Sequence, residues 1–392
     1  MKKEEIISVV EKHYLPVFTR QPVVFDRGQG AVIYDIDGKE YLDFFAGIAV
    51  SILGHNHPAL VAALSRQSAK LIHTTNIFYT EIQANLVKKL VDLSGLDRVF
   101  LANSGTEAIE GAIKLARKYG LKNGGKFKII SALNSFHGRT LGALAATGQV
   151  KYHKGFDPIL SGFEYVDFND SAALKSAFDD ETCAVLLEPI QGEGGIIEAH
   201  EEFLKTAADL CSQNNALLIF DEIQSGIFRS GKPFCWQHFG IKPDIMTIAK
   251  ALGGGFPIGA ILCNEKVAAA IDKGDHGSTF GGGPLACAAA VSVLDTAEEL
   301  KLDKKAQELG GYMMGKLRDL KKEFPFIKEV RGKGLLIGME IDKDGSAVVK
   351  KALEKGLIIN CTSTKVIRFC PPLIIGKEDV DKMITILKES LR

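Results

Sequence analysis

"EEFLKTAADLCSQNNALLIFDE", residues 201–222, holds two rhythms back to back. Up to Asn215 the apolar residues Phe203, Leu204, Ala207, Leu210 and Cys211 recur at helical spacing. From Ala216 five apolar residues run without a break and stop at Asp221 and Glu222. The first pattern is an amphipathic helix; the second is too short for a helix and suits a strand buried on both faces. A helix feeding such a strand is the repeating unit of a parallel sheet with helices packed on both sides. The same alternation extends outward in both directions. "CAVLLEP" (183–189) precedes the stretch and "DIMTIAK" (244–250) follows it. Further upstream, "RVFLAN" (98–103) and "KFKIISA" (126–132) bracket the helix-period run "TEAIEGAIKLARKYG" (106–120). The middle of the chain therefore reads as an α/β domain built on a mostly parallel sheet.

The two ends of the chain read differently. "GAVIYDIDGKEYLDFFAG" (30–47) alternates around Asp37-Gly38, a hairpin signal. "GLLIGMEI" and "VIRFC" are strand candidates near the other end, and "KEDVDKMITILKESL" (377–391) closes the chain as a helix. The expected layout is a large domain over residues 51–289 and a small α+β domain shared by residues 1–50 and 290–392.

Composition narrows the function classes. Of 392 residues, 46% are hydrophobic and 24% charged, as in soluble globular chains. Lys+Arg and Asp+Glu each number 48, so no overall basic field recruits nucleic acid. No window approaches the roughly 20 apolar residues that span a bilayer, and "MKKEEIISVVEKHYLP" is too charged for a signal peptide. The seven cysteines contain no C-x-x-C, which points to reduced thiols in a cytoplasmic protein.

Glycine-rich stretches offer two nucleotide decoys. "GGYMMGKL" (310–317) has phosphate-loop spacing, but Leu317 stands where a hydroxyl should hold magnesium, and no strand precedes it. "RGKGLLIG" (331–338) is followed by a strand, where a dinucleotide site needs a helix. His55 and His57 flank Asn56 in a loop without a third ligand, so no metal is expected.

In an open parallel sheet, ligands collect beyond the carboxyl ends of the strands. Read in turn, those ends carry Ser104-Gly105-Thr106, Phe136-His137-Gly138-Arg139, Glu188, Asp221-Glu222 and Lys250. Ser104 to Thr106 open a helix, which makes either a phosphate cradle or an ordinary N-cap. Asp221 ends an apolar run and so needs a partner, either structural or a protonated ring nitrogen. Lys250 stands between an apolar run and Gly253-Gly254-Gly255, which makes it either a snorkelling surface residue or a nucleophile held where strands end. A phosphate cradle, an acid for a pyridinium and a lysine together match pyridoxal 5′-phosphate.

At this point a resemblance enters. "NSGTEA" (103–108), "FHGRT" (136–140), "EPIQGEGG" (188–195), "DEIQSGIFRSG" (221–231), "KALGGGFPIGA" (250–260) and "HGSTFGGGPLAC" (276–287) stand in the order and spacing of the class III aminotransferases. Within that family the chain is most similar to the acetylornithine aminotransferases; ornithine, succinylornithine and 4-aminobutyrate aminotransferases share most of the blocks. The resemblance implies fold type I, pyridoxal 5′-phosphate, no metal, and a homodimer with shared active sites. It implies amino transfer from N2-acetylornithine to 2-oxoglutarate in arginine biosynthesis. By the same resemblance Lys250 would bond to the cofactor and later shuttle the proton, and Asp221 would hold the pyridinium, with Glu222 beside it among the cofactor residues. Gln224 would meet the ring hydroxyl, with Ile223 and Phe136 on opposite ring faces. Ser104, Gly105 and Thr106 would bind phosphate, with Thr279 reaching it from a neighbouring subunit. Arg139 and Ser278 would meet substrate, and Glu193 would pair with Arg368 as a switch, its flanking glycines leaving the backbone free to adapt.

Overall fold

The computed structural model describes residues 1–392. Strands β1 (Phe25–Gln29), β2 (Val32–Asp35) and β3 (Glu40–Asp43) form an antiparallel meander turning at Asp37-Gly38. The chain then crosses into the large sheet. Its strands are β4 (Arg98–Ala102), β5 (Lys128–Ala132), β6 (Phe163–Val166), β7 (Thr182–Leu187), then β10 (Leu217–Asp221), β11 (Ile245–Ile248) and β12 (Gly259–Cys263). A two-stranded ribbon, β8 (Ile190–Gln191) and β9 (Ile197–Glu198), follows β7. The last part of the chain supplies β13 (Ile327–Lys333), β14 (Leu336–Ile341), β15 (Leu357–Ile358), β16 (Asn360–Thr362) and β17 (Val366–Phe369).

The large sheet has seven strands in the order β4-β12-β11-β10-β7-β5-β6. Strands β7, β10 and β11 are buried at every position, which is why they read as continuous apolar runs. Helices cover both faces: Gly105–Lys122 packs on one side with Ile109, Ala112 and Ala116 inward, and Glu201–Gln213 on the other with Phe203, Leu204 and Ala207 inward. The sheet departs from the expected pattern at β12, which runs antiparallel between β11 and β4. The chain returns from β11 through a short glycine turn rather than a crossover helix, so no helical period announces this strand.

The small part is built from both ends of the chain. Strand β15 pairs parallel with β3, Leu357 opposite Leu42, and the backbone N–H of Cys370 donates to Phe44 O. Strands β13, β14, β17 and β16 form its second sheet. The helix Pro284–Glu299 straddles the boundary expected at residue 290. It packs on Pro58–Lys70 and Glu81–Ser94, whereas Leu302–Leu320 packs on β13 and β14. Both decoys resolve structurally: residues 310–317 lie inside the Leu302–Leu320 helix, and 331–338 span the β13–β14 hairpin. His55 Nε2 pairs with Asp43 Oδ2 at 2.8 Å, and no cluster of potential metal ligands exists.

Candidate active site

The carboxyl ends of β4, β5, β7, β10 and β11 open onto a cleft of about 410 Å³. It is lined among others by Ser104, Gly105, Thr106, Phe136, Arg139, Glu193, Asp221, Ile223, Gln224 and Lys250. One end of the cleft is the N-terminus of the helix Gly105–Lys122. Ser104 caps it, its Oγ accepting from Glu107 N at 3.3 Å, while the backbone N–H groups of Gly105 and Thr106 find no acceptor within the protein. Two open donors at the positive end of an 18-residue helix suit a phosphate. The Thr106 and Thr140 hydroxyls meet at 2.8 Å beside them.

Lys250 follows β11 by two residues and starts a short 3₁₀ turn. Its φ of 44° places a residue with a full side chain in the left-handed region, a strain typical of active sites. Burial holds its amine below the ordinary lysine range; the Glu193 carboxylate opposes that shift and Arg368 adds to it.

Asp221 is the last residue of β10, and its side chain is buried. Oδ1 accepts from Ile223 N at 3.0 Å, and Oδ2 accepts from His137 Nδ1 at 2.7 Å. Because the carboxylate can only accept, it fixes the histidine tautomer with the proton on Nδ1. Glu222 goes the other way. Its oxygens accept from Cys235 N at 2.5 Å and Trp236 N at 2.6 Å, burial pushes it up to about 8, and it does not line the cleft. Its assignment to the cofactor is corrected: successive strand residues face opposite ways, so if Asp221 faces the cleft, Glu222 cannot.

Two further groups that were named at the strand ends, but given no role, enter the site. His137 carries the hydrogen bond to Asp221. Glu188, one residue past β7, accepts from Phe136 N at 3.1 Å and Gly192 N at 3.2 Å, and burial, with the nearby Asp221 charge, raises it to about 7. Their places at strand ends were visible in the sequence, but only the folded sheet gives them their partners.

The two arginines differ sharply. Arg368, on β17, is fully buried: Nη1 donates to Glu193 Oε1 at 2.5 Å and to Gln224 Oε1 at 3.0 Å, and Nε to Asn360 Oδ1 at 3.0 Å. Burial raises the Glu193 carboxyl, but the Arg368 charge and hydrogen bond more than offset this and hold it below the usual range. Arg139 is exposed, has no carboxylate partner, and lies over the Tyr152 ring at 4.1 Å. The glycines around Glu193 are not there for freedom. A Cβ on Gly192 would lie 2.4 Å from Gln224 Oε1, and one on Gly194 2.6 Å from Gln191 Oε1. The Glu193 carbonyl is itself held by the Thr362 and Ser363 hydroxyls. Any movement of Glu193 is therefore a side-chain rotation.

Ser278 and Thr279 do not line this chain's own cleft. Ser278 Oγ accepts from Asn103 Nδ2 at 3.2 Å and from Gly281 N at 2.9 Å, while Thr279 is exposed on the same loop.

Comparison with known proteins identifies relatives over nearly the whole chain. The sequence pattern of the family "Aminotransferase class-III" matches residues 15–391. The acetylornithine aminotransferase of Methanocaldococcus jannaschii is 54% identical over 391 residues, covering 99% of this chain and 98% of that protein. That of Caldanaerobacter subterraneus subsp. tengcongensis is 52% identical over 389 residues, covering 98% of this chain and 99% of its own. Among solved structures, the ornithine aminotransferase of Toxoplasma gondii ME49 superposes with a TM-score of 0.96 at 37% identity, covering 100% of this chain and 95% of that one. The N-acetylornithine aminotransferase of Stenotrophomonas maltophilia K279a does so at 0.85 and 39% identity, with 98% of each chain covered.

Proposed function

Because the chain belongs to the class III aminotransferases, we propose that it moves the terminal amino group of N2-acetylornithine to 2-oxoglutarate. The products are N-acetylglutamate 5-semialdehyde and glutamate, and the reaction serves arginine biosynthesis. The chain is a pyridoxal-phosphate-dependent transaminase of fold type I. When bound, the cofactor supplies an electron sink for a carbanion beside nitrogen. The open N–H groups of Gly105 and Thr106 fit its phosphate, the Lys250 amine its aldehyde carbon, and Asp221 its ring nitrogen. Phe136 and Ile223 close the sides, and Gln224 stands where a ring hydroxyl would be met.

Each of these residues has its own task in the chemistry. Lys250, its amine less basic through burial, would hold the cofactor and, once the donor amine has displaced it, would take and return the substrate proton at Nζ. Asp221, oriented by His137, would hold a proton on the ring nitrogen. Arg139, free of acids, takes the carboxylate distal to the reacting carbon in either substrate.

One observation supports an ω-amine donor: the buried Arg368 is neutralised by Glu193. The donor presents a terminal amine with no carboxylate at its reacting carbon, so an arginine there would face nothing. The acceptor has a carboxylate beside its keto group. Glu193 covers Arg368 in the first half-reaction and rotates away in the second, which avoids an unpaired buried charge.

A half-reaction screen tests the donor. N-acetylornithine should discharge the yellow of the lysine-bound cofactor faster than succinylornithine, ornithine or 4-aminobutyrate. Faster discharge by any of the other three would reassign the substrate within the family. We further propose a homodimer in which Ser278 and Thr279 complete the partner's site. The neighbouring segment supports this: Ile77, Phe78, Tyr79 and Phe280 are at least 64% exposed, and Asn76 Nδ2 ties that segment to the Ser278 and Gly281 carbonyls. A cytoplasmic setting fits the seven free cysteines, and no helix is long and apolar enough to cross a membrane.

A further inference from the structure

Outside the cleft, a second arginine is buried completely and meets no acid. Arg229 Nη1 donates to Leu335 O at 3.1 Å and to Pro371 O at 2.5 Å, while Nε and Nη2 have no partner. Burial lowers it to about 10, so it remains a cation at neutral pH. A buried cation is expensive to keep, and these two carbonyls show what it does.

They belong to neighbouring strands. Leu335 leads into β14 and Pro371 follows β17, and in this antiparallel pair Gly338 stands opposite Arg368. One nitrogen therefore spans both strands at the same end of the pair. The backbone reinforces the joint: Leu335 N donates to Arg229 O at 3.0 Å, and Gly334, at φ +58°, comes so close that a Cβ would lie 2.5 Å from Ser230 C. On its other side Arg229 belongs to the segment that leaves β10 at Asp221. That segment touches β17 twice, at Arg368 through Gln224 and at Pro371 through Arg229.

We propose that Arg229 is a positioning residue for the acceptor carboxylate: from behind the cleft it fixes the β14–β17 end, and with it the distance of Arg368 from Asp221 and Gln224. The inference rests on Arg368 receiving the carboxylate of 2-oxoglutarate. Lysine should substitute only in part: an ammonium can also donate to two carbonyls, but at the end of a flexible stem it holds them less rigidly than a planar guanidinium whose Nη1 does so here.

The test compares Arg229→Met and Arg229→Lys with wild-type holoenzyme. It uses the KM for each substrate and the affinity for glutarate, a dicarboxylate that cannot react, by calorimetry. In the Met variant the 2-oxoglutarate KM and glutarate Kd rise roughly ten- to hundredfold, the size of effect an ångström-scale misplacement produces. The donor half-reaction stays near wild type, and the Lys variant falls between. Added to Arg368→Ala, Arg229→Met weakens glutarate no further. Equal losses in both half-reactions, or additive losses in the double variant, would overturn the proposal. If the Met variant does not fold, the Lys variant decides, and wild-type glutarate affinity in it is the overturning result. If Arg368→Ala alone leaves glutarate binding and the acceptor KM unchanged, the reading of Arg368 fails instead.

Discussion

Lys250 combines a strained backbone with an amine that burial makes less basic, and both features matter only if this side chain reacts. Lys250→Ala should fold and retain the cofactor non-covalently, with turnover reduced by at least about 10²–10⁴-fold. Steady-state activity near wild type would dismiss its role. Asp221→Ala should slow the single-turnover half-reaction by roughly 10²–10³-fold, through loss of a fixed charge opposite the ring nitrogen. Stopped-flow spectra check this against cofactor affinity, which should change less. Both residues stood out in the sequence because each is a charged group terminating an apolar run; each had a structural reading too, and only together with the cradle at Ser104 to Thr106 did they point to one cofactor. His137 was visible only as a neighbour. Its partnership with Asp221 links β10 to the loop after β5, and no spacing along the chain encodes that contact. Glu222 was misread for lack of a simple parity argument at the end of β10.

Between β8 and β9 the chain carries Glu193, and β17 carries Arg368, so the proposed switch joins a ribbon of the large part to a strand of the small one. Arg368→Ala should impair the 2-oxoglutarate half-reaction by roughly 2–5 kcal/mol in kcat/KM, the range for breaking a buried charge pair. The donor half-reaction should hold, while Arg139→Ala should damage both. Glu193→Gln should improve glutamate as a donor at the expense of the ω-amine. Arg368 holds the Glu193 carboxyl below its ordinary range, so the pairing is fully present at neutral pH and is lost only as pH falls through that lowered value. Donor preference should therefore be flat across the neutral range, and a preference that varies there would argue against Glu193 as the switch. At this scale the apolar strands and the closing helix were plain in the sequence. Two elements were not. Strand β12 enters by a glycine turn instead of a helix, and residues 46–49 form a left-handed turn with φ of 47°, 63°, 67° and 62°. Only Gly47 there is suited to such angles, and it is the carboxylate of Asp43, accepting from Phe45 N and Ala46 N, that holds the turn. Backbone propensity points the other way; the hydrogen bonds of the neighbouring Asp43 side chain, itself paired with His55, override it.

Assembly is the scale at which Thr279 acquires a purpose, since it is exposed and touches nothing in its own cleft. If it completes the partner's phosphate site, Lys250→Ala chains mixed with Thr279→Trp chains should regain activity. In a mixed dimer both lesions fall in one site and leave the other intact. A mixture that stays inactive would mean self-contained sites. The contrast between the ends and the middle of the chain was legible in the sequence, whereas nothing in the apolar run Pro284–Glu299 shows that it packs on Pro58–Lys70 and Glu81–Ser94. The pairing of β3 with β15 carries a consequence for the ribosome. Leu42 is made roughly 300 residues before its partner Leu357. At about 5–20 residues per second the wait is of the order of tens of seconds. Throughout it the β3 edge that receives β15 has no partner, while every strand of the large sheet is made. The N-terminal segment is thus the natural point of attack for chaperones and proteases during synthesis, and truncating the chain before residue 357 would leave that edge open permanently.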